Sequence, residues 1–382
     1  MLIPMNPKNV KNTGIGRGEK NLKRRRKVFS KVSREASVQG FLVTNPVDVA
    51  YLTGFTGDDS FLLIGKNQAV LLTDGRYTQQ AEEQCDGIEV FTRNGSMGKA
   101  FGEVLKGRGI RKIGVQESHV SLGLRKVLAA EIGKRKLVEI PPVIPNLRIV
   151  KNADEVASIR KSVKIAEKAF RTLMNRGLSY WVGKTERRLA ADIEHLMRIE
   201  GADKSAFETI FAVGKNAALP HYRPGDCKIK RGDQILIDWG ASLNGYCSDL
   251  TRIVFAGKIP PLMESVYAVV LSSQRAGIDA IRPGKQCCQV DGVARKIIDT
   301  AGYGSNFVHS LGHGLGRDVH EAPGLARSVK TPLRAGMVVT VEPGIYLPGV
   351  GGIRIEDDVL VTAGGCEKLS SLSNRATDMI LK

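Results

Sequence analysis

The chain reads as two mixed domains: an N-terminal α/β domain, then a larger α+β domain with long helices on a mainly antiparallel sheet. Three observations lead there. Its 382 residues, 42% of them hydrophobic, can fill two cores. Short apolar strands alternate with helical patterns over the first third, the texture of an α/β unit. The segment IPPVIPN at 140–146 then puts three prolines into seven residues, a density that neither a helix nor a central strand tolerates.

Residues 1–34 hold eleven Lys or Arg against one acid, Glu19, and so supply +10 of the formal charge of +18. With KRRRK at 23–27, the stretch 1–27 reads as a solvated, partly disordered tail, with contact to nucleic acid or an anionic surface as the less favoured alternative. Its Gly, Asn and Pro make a poor transit helix. Over 28–146, FLVT (41–44), SFLLIG (60–65), AVLLTD (69–74), IEVFTR (88–93), KIGVQ (112–116) and KLVEI (136–140) read as strands, and 77–85, 97–106 and 122–134 as helices. Strand–helix–strand passages of this length call for at least partly parallel pairing.

Beyond the prolines, 147–382 has another texture. Val156, Ile159, Val163, Ala166, Phe170 and Leu173 step by three or four along one helix face. Further helices are expected at 184–199, opening at Thr185 and Glu186, and at 262–281, with strand-rich segments at 205–256 and 305–363. No window approaches ~18 uninterrupted apolar residues, which argues against a membrane span. There is no apolar block before a small-residue cleavage site, which argues against secretion. Six cysteines without CxxC spacing fit reduced thiols in the cytoplasm, with Cys287 and Cys288 as packing residues.

In ILIDWGASLNGYCSDLTR (235–252) an aliphatic run ends in a carboxylate, Asp238. Asn244-Gly245 is a type I′ hairpin signal, so Leu243 opposes Tyr246 and Asp238 opposes Thr251. Asp249 then shares a face with Asp238, about 7–8 Å away on the diagonal, with Gly240 leaving room between them. A slipped register would instead leave one of them a surface acid. Two converging buried carboxylates repel unless a cation or a proton intervenes, and a metal answers this.

HSLGHGLGRDVHEAPG (309–324) carries His309, His313 and His320, half of the six histidines, among glycines that force an irregular path. VVTVEPG (338–344) ends in Glu342, and GGIRIEDDVLV (351–361) puts Arg354, Glu356 and Asp358 on one face by alternation, with Asp358 near the exit and facing solvent. Asp238, Asp249, His313, Glu342 and Glu356 make a donor set too oxygen-rich for structural zinc and suited to a dinuclear site. Two divalent ions about 3.5–4 Å apart activate a bridging water, the chemistry of a metallohydrolase.

At these residues the sequence resembles the creatinase/aminopeptidase family, the pita-bread-fold metallopeptidases, and within it the proline-specific branch of aminopeptidase P and prolidase. The resemblance runs from about residue 28 to the C-terminus. It rests on GHGLG, HEAP, VEPGIY, GIRIED and FETIFAVGKNAALPH, which sets His221 seventeen residues before Asp238. It implies two divalent ions, Mn²⁺ first and Co²⁺ or Zn²⁺ as alternatives. Asp238 would chelate one, Asp249 and Glu356 bridge both, and His313 with Glu342 bind the other, Glu342 also accepting the nucleophile's proton. His221 and His320 would stabilise the tetrahedral intermediate and hold the carbonyl. His309 and Arg354 would shape the proline-side pocket, with Tyr346 orienting Arg354. A homodimer is implied too. The expected activity is Xaa-Pro aminopeptidase on peptides with proline second, with Xaa-Pro dipeptidase (prolidase) as the alternative on the same site. A non-catalytic member binding nucleic acid or protein is the remote reading.

Overall fold

The computed structural model describes residues 14–382, and the chain divides into two compact units at Leu147/Arg148. The first thirteen residues of the expected tail lie outside the described residues. The remainder of that tail corrects the reading of a disordered arm: Gly14–Ala36 is one helix. Its periodicity runs straight through KRRRK, because Asn21, Arg25, Val28, Phe29 and Val32 form a buried face. Arg25 Nη1 donates to the Leu52 carbonyl at 3.0 Å. Arg24 lies over the Tyr51 ring, 4.2 Å from its centroid. Part of the basic run is therefore committed to packing.

The first unit is a six-stranded mixed sheet in the order Glu89–Arg93, Ala69–Asp74, Phe61–Gly65, Gly40–Val43, Lys112–Gln116, Lys136–Ile140. The central pairs are antiparallel, while the outer strands and Lys112–Gln116 join in parallel. Helices cover both faces, each over its own apolar core. The helix Pro46–Thr53 went unforeseen; Asn45 caps it by accepting from Val47 N–H and Asp48 N–H, with proline at its first position. The proline-rich segment also differs from expectation. Val143–Arg148 is a short helix, and Pro145 is tolerated because its missing N–H falls in the first turn, where amides lack helical partners.

In the second unit four long helices, Ala153–Met174, Glu186–Ile199, Pro261–Asp279 and Cys287–Thr300, pack on mainly antiparallel sheets around one large core. Asn152 and Glu155 close a capping box at the start of the first, and Thr185 caps the second by accepting from Arg188 N–H. Trp239 docks a central strand onto the first helix: its ring stacks on Phe170 at 4.6 Å and its Nε1–H donates to Ala166 O. The helix Cys287–Thr300 was missed because two charged residues, Asp291 and Arg295, interrupt its apolar stripe and are nonetheless buried.

The hairpin forms in the register counted from its turn. Asn244 and Gly245 have φ of 54° and 72°, Leu243 pairs with Tyr246, and Asp238 pairs with Thr251. The role given to Gly240 changes. A Cβ there would lie 2.0 Å from Ser248 O, so the glycine admits backbone rather than making room between carboxylates. At this point the hairpin leaves the sheet containing Gln234–Trp239 and Leu250–Ala256 and enters a second sheet with Ala241–Leu243. The stretch 351–361 likewise splits. Gly351–Arg354 pairs with Gly344–Leu347, and Asp357–Val361 pairs with Val338–Val341.

Candidate metal centre

Each acidic side chain of the site enters from a strand end or a break between strands, where backbone constraints aim it inward. Asp238 is the penultimate residue of Gln234–Trp239, and Asp249 sits just before Leu250–Ala256. Glu342 follows Val338–Val341, its N–H bonded to Leu311 O, and Glu356 lies at the break after Gly351–Arg354, its N–H bonded to Thr251 O. His313 is the centre of the short strand Gly312–Gly314. Gly312 is obligatory beside it, because a Cβ would lie 2.0 Å from Thr340 O.

These five residues line one cavity of about 610 Å³ together with His221, His309, His320 and Arg354. Tyr346 stands behind them, donating to His309 Nε2 at 2.9 Å and accepting from Arg354 Nη1 at 2.7 Å. His313 Nδ1 faces the Gly314 carbonyl at 3.0 Å, which places the proton there. Its Nε2 is left as a lone-pair donor, 3.3 Å from Glu342 Oε1 and 3.6 Å from Asp249 Oδ2. Atoms of Asp249, His313 and Glu356 all lie within 4.8 Å of one another. The His320 ring packs edge-on against His313, centroids 4.4 Å apart.

The electrostatics are those of an acidic cluster short of positive charge. Burial, and then neighbouring carboxylates, push Asp249 and Glu356 well above the usual carboxyl range. Burial lifts Glu342 to about 8, against the opposing pull of Arg354. One oxygen of Asp238 accepts from Arg354 Nη2 at 2.5 Å, and the other, Oδ1, is buried without a partner. Four carboxylates and one imidazole with such an orphaned oxygen fit divalent cations of the Mn²⁺, Co²⁺ or Zn²⁺ type. Burial lowers His313 and His320, which keeps both imidazoles neutral.

The expectation for Asp358 is overturned. It is fully buried, not solvent-facing, and its Oδ2 accepts from Asp249 N–H at 3.0 Å. The strand restarts after Glu356, so simple alternation from Arg354 does not hold. Sequence reasoning also passed over several supports. Thr251 Oγ1 donates to Glu356 Oε2 at 2.6 Å. Glu186, wholly buried, accepts from Val213 N–H, Asn216 Nδ2, Tyr222 OH and Gly225 N–H, and so ties down the loop carrying His221. Asp291 and Arg295 clamp the segment carrying His309: Asp291 Oδ1 accepts from Leu311 N–H, and Arg295 donates to Phe307 O and His309 O. An acid and an arginine four apart on an otherwise apolar helix face was the available signal for that pair.

Residues 157–363 match the model of metallopeptidase family M24, and residues 25–150 match the creatinase/prolidase N-terminal domain. The chain is 35% identical over 352 residues to an Xaa-Pro dipeptidase of Pyrococcus furiosus, covering 91% of this chain and 98% of the relative. An Xaa-Pro dipeptidase structure from Bacillus anthracis is 35% identical, covers 95% of this chain and 100% of that one, and superposes with a TM-score of 0.88. An X-Pro aminopeptidase structure from Thermotoga maritima is 37% identical over 92% of this chain and 99% of that one, with a TM-score of 0.84. A match over more than half of the chain, joined to a cavity built for divalent cations, makes the protein a metallopeptidase of family M24 whose catalytic unit follows a creatinase/prolidase N-terminal domain.

Proposed function

We propose that the protein is an Xaa-Pro dipeptidase that hydrolyses the bond between an N-terminal residue and a C-terminal proline. The observation that carries this reading is the convergence of Asp238, Asp249, His313, Glu342 and Glu356, with His221 and His320, on one cavity. The dipeptidase reading displaces the aminopeptidase first expected. Both Pyrococcus relatives at 35% identity and the Bacillus anthracis structure are named Xaa-Pro dipeptidases, while the Thermotoga maritima aminopeptidase supports the shared Xaa-Pro chemistry.

Asp238, Asp249, His313, Glu342 and Glu356 would hold two ions, with Mn²⁺ the proposed metal. Such ions supply Lewis acidity and make water nucleophilic at neutral pH. In this reading Asp249 and Glu356 would help to hold both ions, and Glu342 would accept the proton released by an attacking water. His221 and His320, which line the cavity, donate to the oxygen that gains charge as the carbonyl is attacked. Tyr346 is kept a donor because burial raises it to about 12, and the Arg354–Tyr346–His309 chain holds the wall of the proline side. Six free cysteines support a reducing, cytoplasmic setting, and among the described residues no helix is long and apolar enough to cross a membrane. A homodimer belongs to the same reading, checked by light scattering.

The test is hydrolysis of Gly-Pro and of a longer Xaa-Pro-Xaa peptide with and without Mn²⁺. Gly-Pro is expected to be the better substrate, with activity abolished by EDTA and by Asp249→Ala. Metal-loaded protein that cleaves the longer peptide and spares Gly-Pro restores the aminopeptidase reading.

A further inference from the structure

An Xaa-Pro dipeptide brings three polar handles: an ammonium, the scissile carbonyl and the free carboxylate of its proline. The acidic cluster and the histidines answer the first two. The carboxylate needs a cation, and among the described residues two arginines line the cavity, Arg354 and Arg223.

Arg354 is already spent. It is 3% exposed, and all three of its nitrogens are engaged. Nε donates to Thr251 Oγ1, Nη1 to Tyr346 OH and Pro220 O, and Nη2 to Asp238 Oδ2. Turning it towards a substrate would strand a buried carboxylate and a buried hydroxyl.

Arg223 is the opposite case. It lies two residues past His221, on the loop that Glu186 ties down, and its side chain is 83% exposed. Among the described residues its ion partner is Glu208, met by Nε at 3.2 Å, and Glu208 lines the same cavity. A guanidinium presents five donors in a planar fork, so a contact at Nε leaves both Nη groups, the pair that grips a carboxylate in bidentate fashion.

We propose that Arg223 receives the free C-terminal carboxylate of the Xaa-Pro dipeptide, with Glu208 steadying the fork, and that it thereby sets dipeptides apart from longer peptides. This deepens the dipeptidase reading and rests on it. A longer peptide, or an amide-capped one, offers a neutral group at that place and gains little from the fork.

The test compares kcat/KM for Gly-Pro and for its C-terminal amide, using the Mn²⁺-loaded full chain, Arg223→Ala and Arg223→Lys. The ratio of Gly-Pro to amide is expected to fall about 10- to 100-fold in Arg223→Ala, the span of a charge-assisted hydrogen bond, through KM for Gly-Pro. Arg223→Lys, which keeps the charge and loses the fork, is expected to fall between. Because the side chain is exposed, the alanine variant is expected to keep its melting temperature. A ratio within twofold of native in Arg223→Ala overturns the assignment, whatever happens to the absolute rates. Failure of the native enzyme on both substrates removes the Xaa-Pro reading itself, and Arg223's role with it, which is a different result from an unchanged ratio in an active enzyme.

Discussion

Thr251 stands directly opposite Asp238 across the antiparallel pair, and its hydroxyl joins two site residues, donating to Glu356 Oε2 at 2.6 Å and accepting from Arg354 Nε at 3.1 Å. Valine has the same shape without the hydroxyl. Thr251→Val is expected to lower unfolding free energy by about 1–3 kcal/mol, because two buried groups lose a partner. It is expected to weaken Mn²⁺ binding roughly 10- to 100-fold by freeing Glu356 to rotate. Titration calorimetry reads the second effect, and a native-like dissociation constant would dismiss the orienting role.

The Asp291–Arg295 pair is buried and bonded to three backbone groups of 307–311. Arg295→Met is expected to cost about 3–5 kcal/mol, because it leaves Asp291 as an uncompensated interior charge. Adding Asp291→Asn is expected to recover part of that loss, since the amide still accepts from Leu311 N–H and carries no charge. Urea unfolding of the two variants decides the matter; a double variant no more stable than the single one would count against it.

Glu186 gathers four donors from 213–225, and Tyr222 among them is pushed up to about 12, chiefly by burial and by that carboxylate. Glu186→Ala is expected to cost about 3 kcal/mol, as several buried donors lose their acceptor. The amides of Val213 and Gly225 are expected to exchange with solvent at least about tenfold faster as the His221 loop loosens. Unaltered protection across 213–225 would mean the loop is held by other contacts.

His309 supplies a pH dependence. Burial, then Arg354, lower its imidazole from the ordinary 6.5 to about 4, so the folded chain refuses a proton that the unfolded chain binds. Its contribution to stability is therefore present above pH 6.5 and lost as pH falls towards about 4, at most roughly 3 kcal/mol. His309→Gln removes the titrating group. The difference in unfolding free energy between native and variant is expected to shrink from pH 7 to pH 4, and a difference independent of pH would show that His309 is not held neutral.

Much of the site was legible because its geometry is locally encoded. Asn244-Gly245 specifies one turn, the turn specifies register, and register brings Asp249 back to the face of Asp238. Glycines around His309, His313 and His320 mark close backbone approach, and Gly312 against Thr340 O is a case of it. Asp358 was misjudged because alternation holds only within a continuous strand, and the backbone breaks at Glu356. The helices Gly14–Ala36 and Cys287–Thr300 were obscured by charges that are buried against partners distant in sequence: Arg25 on Leu52 O, Arg295 on His309 O.

By itself the sequence determined the two-domain alternation of strands and helices, the hairpin register, and which acids and histidines gather around one cavity, because turn type and side-chain period are properties of neighbouring residues. Only the tertiary structure decided which charges are free to act. Arg354 is consumed by Asp238, Tyr346, Thr251 and Pro220, and Arg223 is left open beside the same cavity. The two side chains are chemically identical, and what separates them is the set of acceptors that folding brings within hydrogen-bond reach.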